Sequence, residues 1–484
     1  MEFDVLVIGG GAAGSILAGR LRAIRPDLSV AVLEAGPSDR HPLVRVPFGL
    51  VWLMGSRRDW RYRSTPQAGI GGRRVSVPRG RILGGSASIN SMVWFRGRRD
   101  DFDHWGPGWG WSDVAPAFDA VEALLRPRRL PDPHPLGEAL ERVHGGPPDP
   151  ERVSSGVFRT NMARGLRRSP TVALRGAGAT VITGAEVERI VITEGRASGV
   201  VLSDGRRIAA RAGVVLSAGA IGSPAILMRS GVGPGAESAR HGIPVAVDAP
   251  GVGANLHDHP AVAVHHEGAG SGYGLTWGQM PAWAAAPFAL ALGRGRLTSN
   301  TVEAGAFLAR EEGGAPFAQV HFIPARLGHE TPIGWGSGYY ADVCLMQPRS
   351  RGRLTLSGPG AADPPKIDLG LLSDPADRDD LRHALGRLRA LLAAAPFGRR
   401  AAAEAFPGPE ADIDAHIDAR MGTAYHPVGT VGLHGPLDAT GAVRGVDGLW
   451  IADASVMPRI TSANTNAPSM MIGHRVAEFM ARAL

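Results

Sequence analysis

Phe3-Asp4-Val5-Leu6-Val7-Ile8-Gly9-Gly10-Gly11-Ala12-Ala13-Gly14 is the stretch on which the fold turns. Its first six residues are rich in branched apolar side chains, the mark of a buried strand. Glycines at Gly-x-Gly-x-x-Gly spacing follow, and an Ala/Leu/Ile pattern then predicts a helix to about Ile24. Arg25-Pro26-Asp27 breaks that helix, and Val30–Leu33 reads as a second strand ending at Glu34. Each part has a mechanical job. Gly9 allows a tight turn, Gly11 lets backbone approach a pyrophosphate, and Gly14 lets the helix lie close on the sheet. Ala12 and Ala13 stand at the helix start, where unpaired N–H groups and the positive dipole end favour phosphate. Glu34 is placed to accept hydrogen bonds from a ribose diol. A glycine turn with a purely structural role is the alternative, but strand, helix and acid all agree on a dinucleotide-binding unit. The unit alone does not separate FAD from NAD.

Composition narrows the rest. The 484 residues are 44% hydrophobic and 20% charged, which excludes a disordered chain and predicts two or three domains around sizeable cores. No apolar run approaches the roughly 18 residues that span a bilayer. Of the 52 basic residues only Lys366 is lysine, and it lies in Pro-Pro-Lys-Ile, which excludes a phosphate-binding P-loop. There is no Gly-x-Ser-x-Gly elbow. Cys344 stands alone, so no internal disulfide and no cysteine-based metal or iron–sulfur site is available. The net charge of +7 is thin over this length, and Arg349-Ser350-Arg351-Gly352-Arg353 reads as a solvated turn between strands. No nucleic-acid partner is expected. Met1-Glu2 leads straight into the first strand, leaving no room for a signal peptide, and the expectation is a cytoplasmic protein without a membrane span.

Further motifs follow in order. Residues 79–97 read Arg-Gly-Arg-Ile-Leu-Gly-Gly-Ser-Ala-Ser-Ile-Asn-Ser-Met-Val-Trp-Phe-Arg-Gly, and residues 219–233 read Gly-Ala-Ile-Gly-Ser-Pro-Ala-Ile-Leu-Met-Arg-Ser-Gly-Val-Gly. Gly251-Val-Gly-Ala-Asn255-Leu-His-Asp258-His-Pro260 comes next. Toward the C-terminus stand His426-Pro-Val-Gly-Thr430, Leu449-Trp-Ile-Ala-Asp453-Ala-Ser-Val-Met-Pro458 and Asn464-Thr-Asn-Ala-Pro468. In order and spacing the chain resembles, essentially end to end, the glucose–methanol–choline (GMC) family of FAD-dependent oxidoreductases.

That resemblance implies an α/β fold: a Rossmann-type FAD-binding domain built from discontinuous segments, plus an α+β substrate domain with an antiparallel sheet. Residues 1–130, 180–262 and 415–484 would form the first, and 131–179 and 263–414 the second. It further implies that Gly85, Asn90, Met92, Val93, Val187, Asp453, Ala454, Thr465 and Asn466 join the glycine turn and Glu34 in binding FAD. Ile89 occupies the position at which some relatives carry a flavin-linking histidine, so non-covalent FAD is expected.

His426 precedes Pro427 in a turn-like context, and an unperturbed imidazole is mostly neutral at pH 7, as a base requires. By resemblance it accepts the alcohol proton while the carbon-bound hydrogen passes as hydride to flavin N5. Asn464 falls where relatives place the partner of that histidine. Its amide is no base but can orient the substrate oxygen. A helix-capping role is its alternative, although Asn466 is better placed for capping ahead of a helix from about Ala467 to Ala483. The expected partners are a small-molecule alcohol and dioxygen or another electron acceptor. The competing functions within the fold are a hydroxynitrile lyase and a light-driven fatty-acid decarboxylase. His257-Asp258-His259 with His265-His266 invites a metal reading, but the family uses this motif as scaffold, and no metal is expected. Trp277, Trp283, Trp335, Tyr339 and Tyr340 could line an aromatic pocket or fill the core.

Overall fold

The computed structural model describes residues 1–268, 271–326, 335–400 and 402–484. The opening motif folds as its pattern dictates: β1 spans Glu2–Ile8, α1 spans Ala12–Ile24 and β2 spans Val30–Glu34. Val5–Ile8 and the whole of β2 are buried, as near-continuous apolar strands inside a parallel sheet must be. β1 pairs in parallel with β2 on one side and with Arg207–Leu216 on the other. Beyond β2 lies Thr180–Thr183, and beyond Arg207–Leu216 lies Leu449–Ile451, both parallel. Val187–Thr193 and Arg196–Leu202 add an antiparallel meander to the early part of Arg207–Leu216. One sheet thus draws strands from the first 34 residues, the middle of the chain and the C-terminal tail.

A second sheet is antiparallel, ordered Ala403–Phe406, Pro260–Glu267, Gly336–Leu345, Pro316–Ile323, Ala304–Ala309 and Ser154–Val157. Its central strands are buried on both faces, and Cys344 sits there as a buried free thiol. Pro375–Ala393 packs Leu381, Leu385, Leu388 and Leu392 against it, apolar positions at three- and four-residue spacing along one helix face.

The C-terminal helix, Asn466–Ala483, begins one residue earlier than its pattern predicted and lies against α1. The two helices can approach closely because Gly473 faces the backbone of Ala13, leaving no room for a β-carbon. Gly14 does the same on the sheet side. A β-carbon there would stand 2.1 Å from the Gly9 carbonyl oxygen. Gly473 thus sets the third turn of the C-terminal helix against the start of α1, and the first residues of both helices line one cavity.

The aromatic residues divide. Tyr339 is buried in the core and Tyr340 faces the central cavity, whereas Trp277 and Trp335 stand 82% and 56% exposed. Trp283 is half-buried, its indole N–H donating to the Gly274 carbonyl. A single shared aromatic pocket is not what they build.

Candidate active site

A cavity of about 1760 Å³ runs between the two sheets. At one end it is lined by Gly9, Gly11, Ala12, Ala13, Glu34, Gly85 and Val187, and along its length by Asn90, Met92, Val93, Asp453 and Ala454. His426, Asn464, Thr465 and Asn466 line it too. Of the residues expected to bind FAD or act in catalysis, only Gly14 lies off the wall, inside α1 where it packs against Gly9.

The glycine end is shaped for a large anion-bearing ligand. A β-carbon on Gly11 would meet nothing closer than 3.9 Å, so its missing side chain leaves open space in the cavity wall. Glu34 is buried, its carboxylate accepting from the N–H groups of Gly10 (3.0 Å) and Gly36 (2.7 Å). Burial raises its pKa, and these two donors oppose the rise. Asp453 accepts from Ser223 Oγ (2.6 Å), Gly219 N (2.9 Å) and Ser455 N (2.8 Å), tying the start of the Gly219–Arg229 helix to the cavity wall.

Asn466 corrects one expectation. The N-cap position belongs to Thr465, with no side-chain cap, and Asn466 is the first residue of the helix. Its amide Nδ2 is buried without a protein partner. A buried donor left unpaired costs roughly 1–3 kcal/mol, so its place on the cavity wall marks it for a ligand. This orphaned donor, the open cradle at Gly11 and the two converging helix starts fit FAD.

At the other end, His426 follows Tyr425, whose φ of +65° is unusual for a bulky side chain. The Arg79 guanidinium donates to the Tyr425 carbonyl, and Asp258 Oδ1 accepts from the main-chain N–H of His426 (2.7 Å) and of His259 (2.8 Å). Burial pushes the Asp258 carboxyl up to about 6. His426 Nε2 lies 3.2 Å from Asn464 Nδ2, and its Nδ1 lies 3.0 Å from His259 Nδ1. The same Asn464 nitrogen is 3.3 Å from His321 Nε2, while its Oδ1 accepts from Gln319 Nε2 at 3.0 Å. His321 Nδ1 faces Asp342 Oδ1 at 2.9 Å.

One proton arrangement satisfies this chain. With Asn464 Oδ1 accepting from Gln319, both hydrogens of its Nδ2 point at imidazole nitrogens, which must offer lone pairs. Neutral His426 therefore carries its proton on Nδ1 and donates it to His259, and His321 donates from Nδ1 to Asp342. His426 is left with an unprotonated Nε2 facing the cavity. Burial first, then the neighbouring His259, His321 and Arg79, holds its pKa well below 6.5. The ring is a neutral acceptor throughout the physiological range.

His321, Asp342, Gln319 and the hydrogen-bonding role of His259 were not singled out from sequence. Gln319 and His321 did leave a trace: two polar residues at alternate positions in the apolar run Phe317–Ile323 share one strand face. His257, by contrast, belongs to the framework, bonded to the Asn255 carbonyl (2.6 Å) and the Ile460 N–H (3.0 Å). Among the described residues no group of three or more His, Cys, Asp or Glu side chains is arranged to hold a metal. No helix among them is long and apolar enough to cross a membrane.

Residues 3–261 match one family model described as GMC oxidoreductase, and residues 348–473 match a second with the same description. The alcohol dehydrogenase [acceptor] of Pseudomonas putida is 32% identical, with 99% of this chain and 96% of that protein covered. The oxygen-dependent choline dehydrogenase of Sinorhizobium medicae is 34% identical, over 99% and 95% of the two chains. Among solved structures, pyridoxine 4-oxidase from Mesorbium loti superimposes with a TM-score of 0.86 at 28% identity, covering 98% of each chain.

Proposed function

Because the chain belongs to the GMC oxidoreductase family and is an FAD-dependent oxidoreductase of CH–OH groups, we propose that His426 accepts the hydroxyl proton of an alcohol whose oxygen Asn464 holds. The observation that carries this reading is the 3.2 Å approach of Asn464 Nδ2 to the lone pair of His426 Nε2 inside the cavity. An alcohol oxygen that replaces this direct contact would accept from the amide and donate its own hydrogen to Nε2, with no change in either side chain's tautomer. Proton transfer by a positioned imidazole contributes typically 10²–10⁴-fold. The positive charge formed on His426 is the one its buried setting resists, so the proton is held only while negative charge develops nearby.

FAD would be held by Gly9, Gly11, Ala12, Ala13 and Glu34 at the glycine end. Asn90, Met92, Val93, Asp453, Ala454, Thr465 and Asn466 would line its length, with Gly85 and Val187 along the wall. When bound, the flavin supplies the acceptor for the hydrogen leaving the carbinol carbon. The attachment is non-covalent, since Ile89 offers only alkyl carbons where a linking histidine would stand.

The division into an FAD domain of residues 1–130, 180–262 and 415–484 and a substrate domain of 131–179 and 263–414 is supported by the parallel sheet, all of whose strands fall in the first set. The antiparallel sheet draws mainly on the second, with Pro260–Glu267 crossing the boundary and Gly422–Thr423 joining from the first set. The substrate is an alcohol of the kind the relatives' names include, with dioxygen or another acceptor receiving the electrons.

The test is direct. Alcohols are added to the yellow holoenzyme in the dark without air, and the flavin absorbance is followed. Bleaching by an alcohol supports the reading, and reoxidation on readmitting air identifies an oxidase. A flavin that no alcohol reduces in the dark would favour a non-redox or light-driven reaction.

A further inference from the structure

Arg167 is a buried cation with no counter-charge. It is 7% exposed, and its guanidinium donates only to uncharged oxygens: the carbonyls of Val44 (3.0 Å), Ala87 (3.0 Å) and Asn90 (2.7 Å), and Asn90 Oδ1 (2.8 Å). Among the described residues no carboxylate comes within ion-pair distance of it, whereas many other arginines of this chain are paired. Burial alone pushes its pKa down, to about 9, so it still carries its charge at neutral pH. Leaving a buried charge uncompensated is expensive. A hydrogen-bonding polar residue would hold the same carbonyls at less cost.

The position of the charge says what offsets that cost. Arg167 is bonded to Ala87 and Asn90, at the start of the Asn90–Val93 stretch whose Asn90, Met92 and Val93 line the cavity. Asn90 Oδ1 is taken twice, by Arg167 and by the Met92 N–H (3.0 Å), which holds Met92 at a φ of +58°. With its oxygen so occupied, the Asn90 amide can only turn its NH₂ donors elsewhere, and no described residue receives them. Val93 packs in one apolar cluster with Ala463, the residue before Asn464, so this segment belongs to the His426 end of the cavity.

We propose that Arg167 is a positioning and charge-supplying residue for the flavin: it locks the Asn90 amide with its donors toward the ring system, and its unneutralised charge favours the flavin when that gains negative charge. The inference rests on the FAD-dependent reading above. A flavin receiving a hydride gains one negative charge, and a fixed cation in a low-dielectric wall stabilises that state more than any surface charge could.

The experiment measures sulfite binding to the FAD-loaded protein, a dark reaction with no alcohol, together with the flavin midpoint potential. Sulfite adds at flavin N5 and leaves the same negative charge on the ring. Arg167→Met is expected to bind FAD yet weaken sulfite binding at least about tenfold and shift the potential negative, the effect of one charge removed from a site of low effective dielectric. Arg167→Lys, which keeps the charge, should stay within about threefold of the parent. Should Arg167→Met fail to fold, Arg167→Gln carries the same expectation. Unchanged sulfite affinity in a folded, yellow Met or Gln variant overturns the proposal, as does a Lys variant that falls as far as Met. Parent protein that takes up no flavin would instead overturn the FAD-dependent reading itself.

Discussion

His259 and His426 face one another through their Nδ1 atoms, 3.0 Å apart and with rings nearly perpendicular. Two nitrogens at that distance share one hydrogen, so the tautomers of the two rings are fixed together. Burial pushes His259 down to about 3, which keeps it a neutral acceptor. His259→Phe keeps a ring but removes the acceptor, freeing His426 to place its proton on the wrong nitrogen. Anaerobic flavin reduction should slow at least about tenfold while FAD content stays constant. Parent-like reduction would show that nothing depends on this pairing.

Losing the acceptor itself should cost more. His426→Ala is expected to retain yellow FAD and to reduce at least about 10²-fold more slowly, the usual scale for a lost general base. Asn464→Ala removes the hydrogen bond to the alcohol oxygen and should slow reduction less severely. Stopped-flow traces without oxygen measure both. If the Asn464 variant instead fails to fold, its role is structural.

The acid limb of the rate profile follows from burial. A pKa held well below 6.5 leaves His426 unprotonated at the pH where an ordinary imidazole is half-protonated. Protonation, and with it loss of activity, should set in only as the pH falls through that depressed value. The expectation is a reductive kcat/KM that stays flat on the acid side through the ordinary imidazole value of about 6.5. An acid limb centred near the ordinary imidazole value of about 6.5 would contradict the environment assigned to His426.

Glycines 11 and 14 should fail in different ways. A methyl on Gly11 enters open cavity, so Gly11→Ala should fold normally and bind FAD more weakly. A methyl on Gly14 would overlap the Gly9 carbonyl, and Gly14→Ala should cost about 1–3 kcal/mol of stability. Thermal melts of flavin-free protein and FAD titrations separate the two effects. Equal loss of stability in both would mean that the cradle at Gly11 is filled by the protein itself.

Glu303 gives a stability signature remote from the chemistry. It accepts from the His134 N–H (2.6 Å) and Ser299 Oγ (2.5 Å) in a buried setting that pushes its pKa up to about 7. A group whose folded pKa exceeds its unfolded one stabilises fully below the unfolded value and loses that contribution as pH rises through the folded value. The contribution should therefore fall by up to about 1.4 kcal/mol per pH unit as pH rises from about 4.5 to about 7, and level off above that. Glu303→Gln cannot ionise, so its melting temperature should gain on the parent from about pH 4.5 to about pH 7. A constant difference across that range would refute the assignment.

The opening motif was legible because its information is local: Val5–Ile8, the glycine turn and Val30–Glu34 touch one another within 34 residues, and period and turn chemistry fix all three. His426 and Asn464 were singled out through motif resemblance, and the fold brings their side chains within 3.2 Å of each other. His321 and Asp342 were not, since they meet across neighbouring strands whose register no local pattern states. Asp258-His259 was read as scaffold, and half of that was right: Asp258 braces the His426 backbone while His259 touches its ring. Asn466 was read as a cap because asparagine favours caps, but Thr465 takes that position and the Asn466 amide faces the cavity wall instead.

The parallel sheet closes only when Leu449–Ile451 pairs with Arg207–Leu216, and the helix start opposite the glycine turn lies later still, at Asn466. Synthesis must therefore pass Ile451 before that sheet is complete, and pass Asn466 before the second helix can begin. At roughly 5–20 residues per second the first strand waits tens of seconds for its distant neighbour. A polypeptide truncated before Leu449 would leave Val214–Leu216 unpaired on that side and would lack the cavity wall that Asn464 and Asn466 supply.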